Sequence, residues 1–129
     1  MLTRTMMTTM LPVTDMDRAT EFYTRKLGLH QRATSPDGGR ILDAGNGNAI
    51  GLMPAEAGAQ SRHTVLSFEV SDLAGEVRDL ESHGVRFEDY DLPDLKTVDH
   101  IAEMGDTKAA WFCDSEGNIL CLHEVVSAG

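Results

Sequence analysis

With 129 residues, 41% of them hydrophobic, the chain has the length and apolar content of one folded domain, and this composition excludes a disordered segment. The formal net charge of -10, with acidic residues scattered along the chain, leaves no basic surface for a phosphate backbone and excludes nucleic acid as a partner. The opening run MLTRTMMTTM is broken by Arg4 and by threonines, no apolar run approaches bilayer length, and Cys113 and Cys121 are two thiols among apolar neighbours. The expectation is a cytoplasmic protein with reduced cysteines and no membrane partner.

In chain order, an alternating run through Leu11 and Val13 ends at Asp15, and Met16, Ala19, Tyr23 and Leu27 follow at the spacing of one helical stripe. Asp15 is a natural N-cap, because its side-chain oxygens can accept from the free amides of the first turn. Gly28 then supplies the positive φ that ends a helix. Three short strands are predicted next, at about 29–34, 40–44 and 48–53, the last two joined by the hairpin signal Gly45-Asn46-Gly47-Asn48. Residues 55–62, rich in Ala and Gly, read as a linker.

The pattern then starts again. Phe68-Glu69-Val70-Ser71-Asp72-Leu73 repeats Leu11-Pro12-Val13-Thr14-Asp15-Met16 at an offset of 57; a stripe of Leu73, Val77 and Leu80 follows, and Gly84 ends it. Strands are predicted at about 85–90, 108–113 and 118–124, and Gly117-Asn118-Ile119-Leu120-Cys121-Leu122 matches Gly47-Asn48-Ala49-Ile50-Gly51-Leu52 at an offset of 70. The larger offset places extra length at 91–107, which reads as a lid or a short helix. The fold class is therefore α+β, two tandem βαβββ modules in a single 1–129 domain, module 1 at about 1–54 and module 2 at about 63–129.

Because successive strand residues point to opposite faces, the alternation sorts the side chains. Met7, Thr9, Leu11 and Val13 in the first module, and Leu66, Phe68 and Val70 in the second, form the faces that receive the helices. Opposite them stand Met6, Thr8, Met10 and Pro12, then His63, Val65, Ser67 and Glu69, with Ile119, Cys121 and His123 on the last strand. This mixture of Met, Thr, Ser, Cys, Glu and His suits a ligand cavity better than a packed core.

LPVTDMDRATEFYTRKLGL (11–29), LSFEVSDLAGEVRDLESHGV (66–85) and AAWFCDSEGNILCLHE (109–124) resemble the vicinal-oxygen-chelate superfamily, which groups glyoxalases, bleomycin-resistance proteins and dihydroxybiphenyl dioxygenases. The resemblance spans nearly the whole chain and implies curled sheets around a cleft, completed in short chains by a homodimer. It also implies that metal-dependent members draw His, Gln or Glu ligands from the first and last strands of each module. Here those positions are Thr8 and Val65, seven before the capping aspartates, and Gly51 and Cys121, four after the glycines of the closing strands. A hard cation finds no ligand among them, so no metal and no cofactor is expected. His63, Cys121 and His123 could take only a borderline cation such as zinc, and isolated histidines are more often hydrogen-bonded or exposed. His30, His83 and His100 read as solvated.

The resemblance puts Trp111, the single tryptophan, on the cleft wall. The expected ligand-binding set is Thr8, Met10, Gly51, Met53, Val65, Ser67, Trp111 and Cys121. The leading functional reading is capture of a small organic molecule without metal, the acidic balance favouring a neutral or cationic one. The alternative is a glyoxalase- or dioxygenase-like enzyme, a lyase, isomerase or oxygenase, with an atypical metal site or none. Glu69, His63 and His123 are its candidate acid–base groups.

Overall fold

A computed structural model describes residues 1–126. Its contacts divide the chain into two compact units, Met1–Ser61 joined by Asp114–Asn118, and Arg62–Cys113 joined by the residues from Ile119 onward.

In the first unit the order is β1 (Thr8–Val13), α1 (Met16–Glu21), a π-helical turn (Phe22–Lys26), β2 (His30–Thr34), β3 (Arg40–Asp43) and β4 (Ala49–Pro54). The strands lie in the order β1-β4-β3-β2, with β1 and β4 parallel and the other pairs antiparallel. Asp15 caps α1 as its sequence position requires, accepting from the Arg18 amide at 3.0 Å, and Gly28 takes φ 79° where the helical segment ends. Thr20 and Thr24 donate their hydroxyls to the carbonyls four residues back, of Met16 and Thr20, a competition with the backbone that accompanies the widening into the π turn. Leu11, Val13, Leu42, Ile50 and Leu52 close over Ala19, Phe22 and Tyr23, all buried.

The β2–β3 hairpin depends on a glycine that needs space rather than an unusual φ. A Cβ on Gly39 would stand 2.5 Å from the main-chain oxygen of Leu52, which cannot swing aside as a side chain would. Gly39→Ala is expected to cost about 1–3 kcal/mol through overpacking. An unchanged urea midpoint for that variant would show that the strands do not approach so closely.

The second unit runs β5 (Thr64–Glu69), α2 (Leu73–Ser82), β6 (Asp91–Leu92), β7 (Leu95–Lys96), β8 (Ala102–Met104), β9 (Thr107–Cys113) and β10 (Ile119–Val125). Its sheet has the order β5-β10-β9-β8, with β5 and β10 parallel. Asp72 caps α2 through the Gly75 amide, Glu124 of β10 accepts from the Leu73 amide at 2.8 Å, and Gly84 ends the helix with φ 92°. Leu73 and Val77 of the helix are buried with Val85, Ala110, Phe112, Leu120 and Leu122.

The strand expected at 85–90 does not form. Only a bridge from Phe87 to Phe112, with the Glu88 amide donating to the Trp111 carbonyl, touches β9 there, and β8 takes the remainder of that edge. Nor is 91–107 a helix. It folds as the β6–β7 pair followed by a tight turn at Asp99 and His100, whose φ angles are 52° and 74°, between the bridged Val98 and Ile101. Asp89 ties the segment down by accepting from the Thr97 hydroxyl at 3.0 Å and the His100 amide at 3.1 Å. His100 is only partly exposed, its ring lying between Asp89, at 3.0 Å, and Glu81, at 3.4 Å.

Candidate functional site

Register turns the face of the second sheet opposite α2 into two rows. Parallel pairing sets Ser67 beside Cys121 and Glu69 beside His123, and the β9–β10 hairpin continues these rows to Trp111 and Ala109. Side chains in one row share a face. The upper row therefore presents Ser67, Cys121 and Trp111, and the lower row Glu69, His123 and Ala109.

The polar members touch. Ser67 Oγ is 2.6 Å from His123 Nδ1, and His123 Nε2 is 3.6 Å from Glu69 Oε1. A carboxylate facing Nε2 favours the tautomer with its proton there, which leaves Nδ1 to accept from the Ser67 hydroxyl. Ser67 and Glu69 are exposed, whereas His123 is only partly so. Cys121 is buried, and burial pushes its thiol up.

Tyr90 completes an aromatic corner, its ring standing edge-on to Trp111 at 5.6 Å and 85°. Burial first, then the charge of Glu88 and the nearby Cys113 and Cys121, push its phenol up, so Tyr90 is a neutral hydrogen-bonding group. His63 precedes β5, and its Nδ1 lies 3.0 Å from the Thr64 carbonyl oxygen. Val65 sits, half-buried, where the β5–β10 register slips by one residue.

In the first unit Met10 pairs with Gly51 and Pro12 with Met53 across β1 and β4. A Cβ on Gly51 would fall 2.5 Å from Met10 Sδ and 3.4 Å from the Thr8 methyl, so Thr8 and Met10 share a face with Gly51 and the thioether fills the space above it. Met53 is exposed further along that strand.

These residues do not fit the metal that the resemblance implies. A thioether packs where an acidic or imidazole ligand would start, Thr8 and Val65 offer no anionic or imidazole donor, and Cys121 is a single thiol. Among the described residues no group of three His, Cys, Asp or Glu side chains is placed to hold a metal ion. Likewise among the described residues, no helix is long and apolar enough to cross a membrane.

On the helix side of the second sheet, a groove of about 1160 Å³ runs between α2 and residues 96–101. Charged residues of both signs line it, among them Arg78, Lys96, Lys108, Glu81, Asp99 and Glu103.

Two four-stranded curled sheets, each with its helical segment, define the class, an α+β protein. The match is to the Glyoxalase/Bleomycin resistance protein/Dioxygenase superfamily over residues 5–122, and the chain belongs to that superfamily. No curated protein matches the sequence at a significant level. Among solved structures, the chain is similar to TnmS3, an antibiotic binding protein from Streptomyces sp. CB03234, with 18% identity, TM-score 0.68, and 97% of this chain and 98% of that one covered. It is also similar to lactoylglutathione lyase from Agrobacterium tumefaciens, with 18% identity, TM-score 0.70, and coverage of 98% and 97%. A third likeness is to a point mutant of the genomically encoded fosfomycin resistance protein FosX from Listeria monocytogenes, complexed with Mn(II) and 1S,2S-dihydroxypropylphosphonic acid, with 15% identity, TM-score 0.68, and coverage of 95% and 90%. At these identities the likeness establishes the fold alone.

Of the expected ligand-binding residues, Ser67, Cys121 and Trp111 form one row, and Thr8, Met10 and Gly51 form a separate group in the other unit. Sequence reasoning missed Tyr90, which lies where a strand was expected and carries no motif. Ser67 and His123 were expected in separate roles, since nothing but the β5–β10 register brings them together.

Proposed function

We propose that the protein binds a small organic molecule on the Ser67–Cys121–Trp111 face, without a metal at the positions that metal-dependent relatives use. The observation that carries this reading is the Tyr90–Trp111 corner beside the Ser67–His123 pair. A rigid aromatic wall next to a few oriented polar groups is the composition of a small-molecule site. A net charge of -10 favours a neutral or cationic ligand. The antibiotic binding named for the Streptomyces relative supports the same reading. In this proposal the protein works as a cytoplasmic homodimer.

Trp111 is the single tryptophan, so its fluorescence reports on this face alone. Titration with a panel of neutral and cationic aromatic compounds is expected to give saturable quenching by at least one. Calorimetry with that compound should then show binding weakened about 10-fold in Trp111→Leu, the scale of one lost aromatic contact. Absence of saturable quenching across the panel would remove the proposal. Stoichiometric metal in protein purified without an affinity tag would remove its metal-free half.

A further inference from the structure

We propose that Ser67 is a nucleophile, activated by His123 with Glu69 as the positioning residue, and that it accepts an acyl group from an ester. This goes beyond reversible binding and stands on the polar side chains alone. A serine hydroxyl is a weak nucleophile unless an adjacent base takes its proton and a third group orients the base. All three parts are present on one face, with the hydroxyl 2.6 Å from the imidazole and the carboxylate 3.6 Å from the other ring nitrogen. The nucleophile is exposed, so an ester can reach it, and Trp111 stands in the same row to hold an aryl leaving group.

The sheet also provides an electrophilic contact. β5 is the outer strand of its sheet, and the Val70 amide donates to the His123 carbonyl at 2.8 Å. In a parallel ladder only alternate residues address the neighbouring strand, so Leu66, Phe68 and Val70 face β10 while the Ser67 amide points away from it. That amide is the donor assigned here to an oxyanion forming on the acylated Ser67, the role a nucleophile's own amide plays in serine nucleophile sites.

The reaction balances without a co-reactant other than water. Ser67 Oγ attacks the ester carbonyl carbon as His123 Nδ1 takes the hydroxyl proton, and Glu69 faces the Nε2–H of the imidazolium. Collapse of the tetrahedral species breaks the carbonyl carbon–alkoxy oxygen bond, and His123 returns the proton to the departing alcohol. Water then attacks the acyl carbon, His123 takes its proton, and the carboxylic acid leaves as the proton passes to Ser67 Oγ. Cys121, though adjacent, is buried, so an acyl donor meets the serine first.

The test uses the full chain with 4-nitrophenyl acetate, following 4-nitrophenolate release and locating the acetyl group by peptide mass spectrometry. Acetylation of Ser67 is expected, lost in Ser67→Ala, slowed about 100-fold in His123→Gln, the lower end for a lost general base, and about 10-fold in Glu69→Gln. Ser67 and Glu69 are exposed, so these variants should keep the native circular dichroism. Glu69→Asp should recover part of the rate at unchanged KM, which a merely structural role for the carboxylate would not predict. The proposal is overturned if the acetyl group maps to Cys113, Cys121 or lysines, or if Ser67→Ala reacts at the wild-type rate. Trp111 quenching without Ser67 acetylation would sink this proposal and leave the binding one standing; acetylation without quenching would do the reverse.

Discussion

Replacing Asp114 with alanine is expected to destabilise the first unit by about 3–4 kcal/mol, a large share of the roughly 5–15 kcal/mol that holds a domain together. The Asp114 carboxyl group, itself only 6% exposed, accepts four hydrogen bonds. One oxygen takes the Tyr23 hydroxyl at 2.6 Å and the Asn118 side-chain amide at 2.9 Å. The other takes the main-chain amides of Glu116 at 2.8 Å and Asn118 at 2.9 Å. Tyr23 and Asn118 are fully buried, so neither finds water once the acceptor is gone. Burial first, and Asp114 next, push the Tyr23 phenol far above its ordinary range, so it remains a donor throughout the accessible pH range. Asn118 is already under strain of this kind, since its Oδ1 has no hydrogen-bond partner among the described residues. A buried donor left without an acceptor costs about 1–3 kcal/mol, and two side-chain donors are orphaned together. Tyr23→Phe is the control, because it removes one donor and leaves the acceptor three others; it should cost about 1 kcal/mol. Urea unfolding of the two variants decides the matter. If Asp114→Ala loses no more than Tyr23→Phe, the carboxyl group is not the hub.

That hub shows what the sequence could and could not reveal. The helices were legible because their signals are local. Asp15 and Asp72 stand one residue before each stripe, Gly28 and Gly84 stand after it, and every one takes the expected conformation. The faces of β1, β5 and β10 were legible from alternation, which needs no partner. Pairing was not. The strand expected at 85–90 lost the β9 edge to Ala102–Met104, a competition between segments of similar character that local preference cannot decide. Ser67 and His123 are 56 residues apart, and Tyr23 and Asp114 are 91 apart. In both pairs the partner is chosen by register and packing rather than by spacing. The Asp-Ser-Glu-Gly-Asn turn could be read as a family feature, but its attachment to the first unit could not.

The second large effect concerns the same turn and appears as a pH dependence. Glu116 reaches from it to the start of α1, where its carboxylate accepts from the amides of Thr14 at 3.0 Å and Asp15 at 2.9 Å. Arg18 grips it with Nε at 2.7 Å and Nη2 at 3.1 Å, and the Ser115 hydroxyl donates at 2.8 Å. Burial alone would raise the Glu116 pKa, but the Arg18, Asp15, Ser115 and Thr14 donors outweigh it and hold the group at about 2, against an ordinary 4.5. Arg18 is the strongest of these donors, but it is more than half exposed, so solvent screens part of its share. A folded-state pKa below the unfolded one means that the unfolded chain binds the proton more readily. The stabilisation is therefore complete above about pH 4.5 and is lost as the pH falls towards 2. Glu116→Gln should lower stability at pH 7 by about 1.5–3 kcal/mol, the range for hydrogen bonds to a charged group. The gap between wild type and variant should then narrow steadily below pH 4.5 and nearly close by pH 2, because the other carboxylates titrate alike in both proteins. Urea unfolding at intervals across that range measures the gap directly. A gap as wide at pH 2 as at pH 7 would mean that Glu116 acts through its shape and not through its charge.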